Sequence, residues 1–152
     1  MNQKLLVKDV MTKKVIYVSP EDEINKVSTI LTENRIHGVP VMEGEKIVGI
    51  ITETDFFTKS FPNFYLPSYV DFLKNAEFVD SFGGENKKKV KEIISAQAKD
   101  IMTSPCITIV PDTEINKVID LMRVRQFVTL PVADNEGKLV GIITTVDILK
   151  LI

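Results

Sequence analysis

Two stretches of this 152-residue chain are copies of one another, and that duplication restricts the fold more than any other feature. Residues 7–57 align with residues 98–149 once one residue is inserted near Asn135. Roughly two in five aligned positions are identical. The shared blocks include Asp9-x-Met11-Thr12, Glu23-Ile24-Asn25-Lys26-Val27, Pro40-Val41 and Val48-Gly49-Ile50-Ile51-Thr52. A unit of about 50 residues is too small to secure a core by itself. Two copies in one chain can pack face to face about a pseudo-twofold axis. That packing leaves two equivalent clefts between the copies, where pockets tend to form.

Each copy reads as β-α-β-β-α. The β-branched runs VIYV (15–18) and CITIV (106–110) are expected as strands. Pro20 and Pro111, each followed by acidic residues, are expected to open helices, with Ser19 as N-cap in the first copy. Ile24, Val27 and Leu31 recur at helical spacing, as do Ile115, Val118 and Met122, so each helix buries one stripe. GVPVM and TLPVAD are the next strands. EGEK and NEGK are hairpin turns, and IVGIIT and LVGIIT are apolar return strands followed by short helices. The fold class is therefore α/β (α+β), with copies at 1–57 and 98–152.

The segment 58–97 has no counterpart. Seven of the eight Phe and two of the three Tyr lie between Phe56 and Phe82. Ser68 is a suitable N-cap, and Tyr69, Phe72, Leu73 and Ala76 follow at helical spacing, so a helical insert is expected. Its aromatics either pack on the copies or form a surface for self-association. Lys87, Lys88, Lys89 and Lys91 read as a solvated helix face.

Charge and composition narrow the function. A net charge of −2 does not point to nucleic acid or an anionic membrane. No apolar run approaches the roughly 20 residues that span a bilayer, and the N-terminal residues lack the pattern of a secretory leader. The single cysteine, Cys106, cannot form an intramolecular disulfide and fits a reducing compartment, so a cytoplasmic location is expected. Cys106 falls in an expected buried strand and reads as inert packing. One His and one buried Cys cannot assemble a nucleophile–base–orienter set or a metal site, so the chain is read as a non-enzyme needing no cofactor.

The closing motif of each copy, Thr52-x-x-Asp55 and Thr144-x-x-Asp147, allows two readings. As a capping box it needs no ligand and contributes about 1 kcal/mol. As a grip, the carboxylate suits a ribose diol and the hydroxyl suits a phosphate.

The D-V/I-M-T lead-in, the x-V-P-V strand and the terminal G-I-I-T-x-x-D, present in both copies, resemble the cystathionine-β-synthase (CBS) domain family. The resemblance covers nearly all of the chain except the insert. It implies a tandem pair that binds AMP, ADP, ATP or S-adenosylmethionine, often as a homodimer, and that senses rather than catalyses. It implies ribose contacts at Asp55 and Asp147, and ribose or phosphate contacts at Thr52 and Thr144. It implies base contacts at Ile16, Tyr17, Val39 and Pro40 in one copy, and at Ile107, Thr108, Leu130 and Pro131 in the other. Basic residues before Pro-Val would reach phosphate, here Arg35 and His37. Val128 stands where His37 does, so the two clefts are expected to differ. Occupancy would be relayed to a protein target. The alternative reading is a scaffold that dimerises through the insert and binds no nucleotide.

Overall fold

The computed structural model describes residues 4–58 and 95–152. Most of the 58–97 insert, with its expected helix and basic run, lies outside the described residues. The first half contains α1 (Val7–Val10), α2 (Ile24–Asn34), β1 (Gly38–Glu43), β2 (Lys46–Thr52) and α3 (Asp55–Thr58). The second half contains α4 (Ala98–Ile101), α5 (Ile115–Arg125), β3 (Thr129–Ala133), β4 (Leu139–Thr144) and α6 (Thr145–Leu149). The class is mixed α+β, built on two antiparallel hairpins, β1–β2 and β3–β4. The registers match: Val39 faces Ile51 and Leu130 faces Ile143.

The expected first strand of each copy is reduced to one parallel bridge, Val18 to Val41 and Ile109 to Val132. Proline explains this. Val18 N–H donates to Pro40 O at 3.0 Å, and Met42 N–H donates to Val18 O at 2.8 Å. The next rung on one side would need the N–H of Pro40, and on the other the N–H of Pro20. Neither exists. Ile109 repeats the pattern between Pro131 and Pro111.

The helices also begin later than expected, at Ile24 and Ile115, with Glu23 and Glu114 as N-caps that make no side-chain cap bond. Ser19 is therefore not the cap. Residues 19–22 form a turn closed by Asp22 N–H to Ser19 O, and the Asp22 carboxylate accepts the Ser19 N–H at 2.8 Å. The carbonyls of Pro20 and Asp22 are taken by the N–H groups of Lys99 and Ala98, so they cannot start a helix ladder. Leu31 and Met122 still seat the helices through the apolar stripes read from sequence.

Those bonds reveal a crossing. The lead-in before each copy packs on the other copy. Ala96, Ala98 and Ile101 complete a core of Val18, Ile24, Val27, Leu31, Val39, Val41, Ile51 and Phe56 from the first half. Val7 joins Ile115, Val118, Met122, Leu130, Val132 and Ile143 from the second. Main-chain bonds fix each crossing: Thr12 and Ile142 exchange two, at 2.8 and 2.9 Å, and Thr103 and Ile50 exchange two, at 2.8 and 3.1 Å. Glycine permits the approach. A Cβ at Gly141 would sit 2.5 Å from Met11 Sδ and 3.1 Å from Thr12 O, and one at Gly49 would sit 2.7 Å from Met102 Sδ.

Candidate functional site

The crossing brings one closing motif beside the other half's lead-in. A cleft of about 240 Å³ is lined by Thr12, Lys14 and Ile16, by Arg35 to Gly38 at the entry to β1, and by Ile142, Thr144, Val146, Asp147 and Lys150. Of the residues expected at a site, Ile16, His37, Thr144 and Asp147 meet here, together with Arg35. Thr12, Lys14 and Lys150 were not expected. Thr12 and Lys14 reach the cleft only because a lead-in crosses to the opposite half, whereas Lys150 stands there as the i+3 neighbour of Asp147.

Asp147 is 6% exposed and lies at the start of α6. Its Oδ2 accepts the Thr144 N–H at 2.9 Å and the Thr144 hydroxyl at 3.0 Å, and the Asp147 N–H donates back to Thr144 Oγ1 at 3.3 Å. The capping box therefore forms. It consumes one carboxylate oxygen and leaves Oδ1, whose ion partner is Lys150 Nζ at 3.6 Å.

Asp55, its repeat partner, is also 6% exposed. Its Oδ2 accepts the Thr52 N–H at 2.8 Å and the Thr52 hydroxyl at 3.3 Å. Its Oδ1 accepts the Thr103 hydroxyl at 3.0 Å. Thr12 is the repeat equivalent of Thr103, yet its hydroxyl makes no hydrogen bond to Asp147 among the described residues. The two motifs are alike in sequence and unlike in bonding.

The other expected residues are placed as follows. Val39 and Leu130 are 0% and 2% exposed and belong to the two cores. Pro40 and Pro131 are buried within β1 and β3. Tyr17 is 59% exposed and, like Ile107, lies on an extended segment outside the Asp147 cleft. Thr108 lines a separate hollow of about 640 Å³ with Cys106, Lys46 and Lys138. His37 Nδ1 lies 2.9 Å from Glu53 Oε1 at the cleft rim. Among the described residues no group of three His, Cys, Asp or Glu could hold a metal ion. No described helix is long and apolar enough to cross a membrane.

Cys106 is not in a strand; it lies on extended chain, partly exposed, beside that hollow. Burial of the thiol pushes its pKa up to about 11. Only the thiolate is nucleophilic. At pH 8, Cys106 should thus react with iodoacetamide about a hundredfold more slowly than in urea-unfolded protein. Equal rates in folded and unfolded protein, followed by mass spectrometry, would contradict this placement.

Comparison with known proteins adds to this geometry. The family model described as CBS domain matches residues 7–61 and 98–152. A Methanocaldococcus jannaschii protein, "Uncharacterized protein MJ1426", is 33% identical over 156 residues, covering 96% of this chain and 90% of its own. The inosine-5′-monophosphate dehydrogenase of that organism is 32% identical, but the match spans 93% of this chain and only 22% of the enzyme. Among solved structures, the CBS domain pair of protein MJ0100, in complex with 5′-methylthioadenosine and S-adenosyl-L-methionine, is 25% identical with a TM-score of 0.69. That alignment covers 98% of this chain and 96% of the other.

Proposed function

The chain belongs to the CBS domain family, and on that premise we propose that it is a regulatory module that binds an adenosine nucleotide or related adenosyl compound in the Asp147 cleft. The observation that carries the reading is Asp147 itself. Its Oδ2 caps α6 while Oδ1 faces the cleft without a hydroxyl partner among the described residues. A ribose offers two adjacent hydroxyls, and a buried carboxylate whose second oxygen meets only the Lys150 ammonium, at 3.6 Å, is suited to accept from them. The Thr12 hydroxyl and the apolar Ile16, Ile36 and Val146 stand beside it, so one wall can bond a sugar and another can pack a base. The adenosyl ligands of MJ0100 support the same ligand class.

In this reading cap and grip are one device: the oxygen spent on the helix fixes the direction of the other. Occupancy would be felt through Thr12 and Ile16, which lead into the crossing, and passed to a protein target, with the module acting as a homodimer. Catalysis has no part in it. Isothermal calorimetry with AMP, ADP, ATP, 5′-methylthioadenosine and S-adenosylmethionine tests it. At least one should bind with Asp147-dependent affinity and be recovered unchanged. No heat from any of them at millimolar concentration would overturn it.

A further inference from the structure

The two closing motifs part company at the second carboxylate oxygen. Asp55 Oδ1 accepts the Thr103 hydroxyl at 3.0 Å. Among the described residues, Asp147 Oδ1 meets only the Lys150 ammonium, at 3.6 Å. These partners yield differently to a newcomer. The Lys150 side chain is 71% exposed, stands beyond hydrogen-bond distance and sits on a flexible stem, so it can swing aside. The sequence places no such residue one turn beyond Asp55, where Thr58 stands.

Thr103 cannot withdraw in the same way. Its N–H donates to Ile50 O at 2.8 Å and its carbonyl accepts the Ile50 N–H at 3.1 Å, so its backbone is fixed to the half that carries Asp55. Only a turn about χ1 would free the carboxylate, and a β-branched side chain has few alternatives there. The bond is also of the right kind. A hydroxyl donating to a carboxylate oxygen is what a ribose would bring, and Thr103 brings it from within the chain. A sugar arriving at Asp55 has to displace a donor held at high effective concentration. Thr12, the repeat equivalent of Thr103, lines the Asp147 cleft, and its hydroxyl makes no bond to Asp147 among the described residues.

We infer that Thr103 is a built-in occupant of Asp55, an autoinhibitory contact that keeps the Asp55 side from taking a ribose and leaves one working cleft per chain. The inference rests on the reading of Asp147 as a ribose contact and deepens it. Two identical motifs become unequal because one lead-in hydroxyl reaches its carboxylate and the other does not. A hydrogen bond to an ionised group corresponds to roughly tenfold to a hundredfold in affinity. Thr103 is itself exposed, which puts its effect near the lower end of that range.

Calorimetry with ADP on the whole chain tests this. Asp147→Asn leaves Asp55 as the one closing-motif carboxylate, so ADP binding that remains reports on the Asp55 side. Adding Thr103→Val to that chain should tighten the remaining binding about tenfold, and adding Asp55→Asn as well should abolish the gain. Thr103→Ser keeps the hydroxyl and should give no gain. Valine preserves the branched shape and the paired main-chain bonds to Ile50. With Asp147 intact, Thr103→Val should raise the ADP bound from one per chain to two. The stoichiometry of the unmodified chain needs no substitution: two equal ADP sites there would overturn the inference and spare the Asp147 reading. A lowered urea midpoint in Thr103→Val with no tighter binding would overturn it too, because the bond would then serve stability alone. ADP affinity left unchanged by Asp147→Asn, or no binding at all, would remove both readings.

Discussion

Asp147→Asn should weaken ADP binding by about 2–3 kcal/mol, roughly a hundredfold, while Asp55→Asn changes it by less than about threefold. The asparagine keeps an oxygen that can accept the Thr144 N–H, so the cap on α6 survives. It replaces the cleft-facing acceptor with an amide that only donates, and removes the charge that makes bonds to a carboxylate strong. A helix cap alone would respond in the opposite way, with little change in affinity and little in stability. Asp55 is spoken for on both oxygens, by Thr52 and by Thr103, so its amide variant disturbs contacts internal to the protein. The measurement is calorimetric, with urea denaturation alongside to show that both variants remain folded. Full ADP affinity in Asp147→Asn would end the ribose assignment.

Ile101→Ala should cost about 2–5 kcal/mol, a large share of the 5–15 kcal/mol that typical domains possess. Ile101 is 1% exposed and belongs by sequence to the second copy, yet it fills the core of the first beside Val27, Leu31 and Ile51. Truncation leaves a cavity that the β1–β2 hairpin and α2 cannot collapse to fill. Because the lead-ins are exchanged, the halves should lose structure together. Urea unfolding read by circular dichroism and by tyrosine fluorescence should give coincident transitions at a lowered midpoint. A loss below about 1 kcal/mol, or two separate transitions, would show that the crossing does not bind the halves into one cooperative unit.

Much of this fold is legible in the residues, and the exceptions share a cause. The hairpins and helical stripes are local patterns, and local patterns survive folding. The shortened first strands were also legible in principle, because each is bounded by prolines that cannot donate, Pro20 and Pro40 in one copy and Pro111 and Pro131 in the other. The exchange of lead-ins was not. Asp9-Val10-Met11-Thr12 and Asp100-Ile101-Met102-Thr103 are so alike that either could seat on either half, and only the chain connection decides. Thr12 and Lys14 were missed as cleft residues for that reason: they become neighbours of His37 and Asp147 through a long-range contact with no periodic signal, whereas Lys150 follows Asp147 by one helical turn. The contrast between His37 and Val128 could be read directly, and it is one member of a set that also separates Lys14 from Pro105 and Arg35 from Gln126.

The crossed lead-ins also limit how this molecule can move. Each is tied by paired main-chain bonds to the opposite half, Thr12 to Ile142 and Thr103 to Ile50. Parting the halves like the jaws of a clam would break both ties at once and uncover two cores. Gly38 and Thr129 meet between these ties, where a Cβ on Gly38 would sit 3.4 Å from Thr129 Cβ. Opening the two halves like a hinge is therefore the costliest way for this molecule to move.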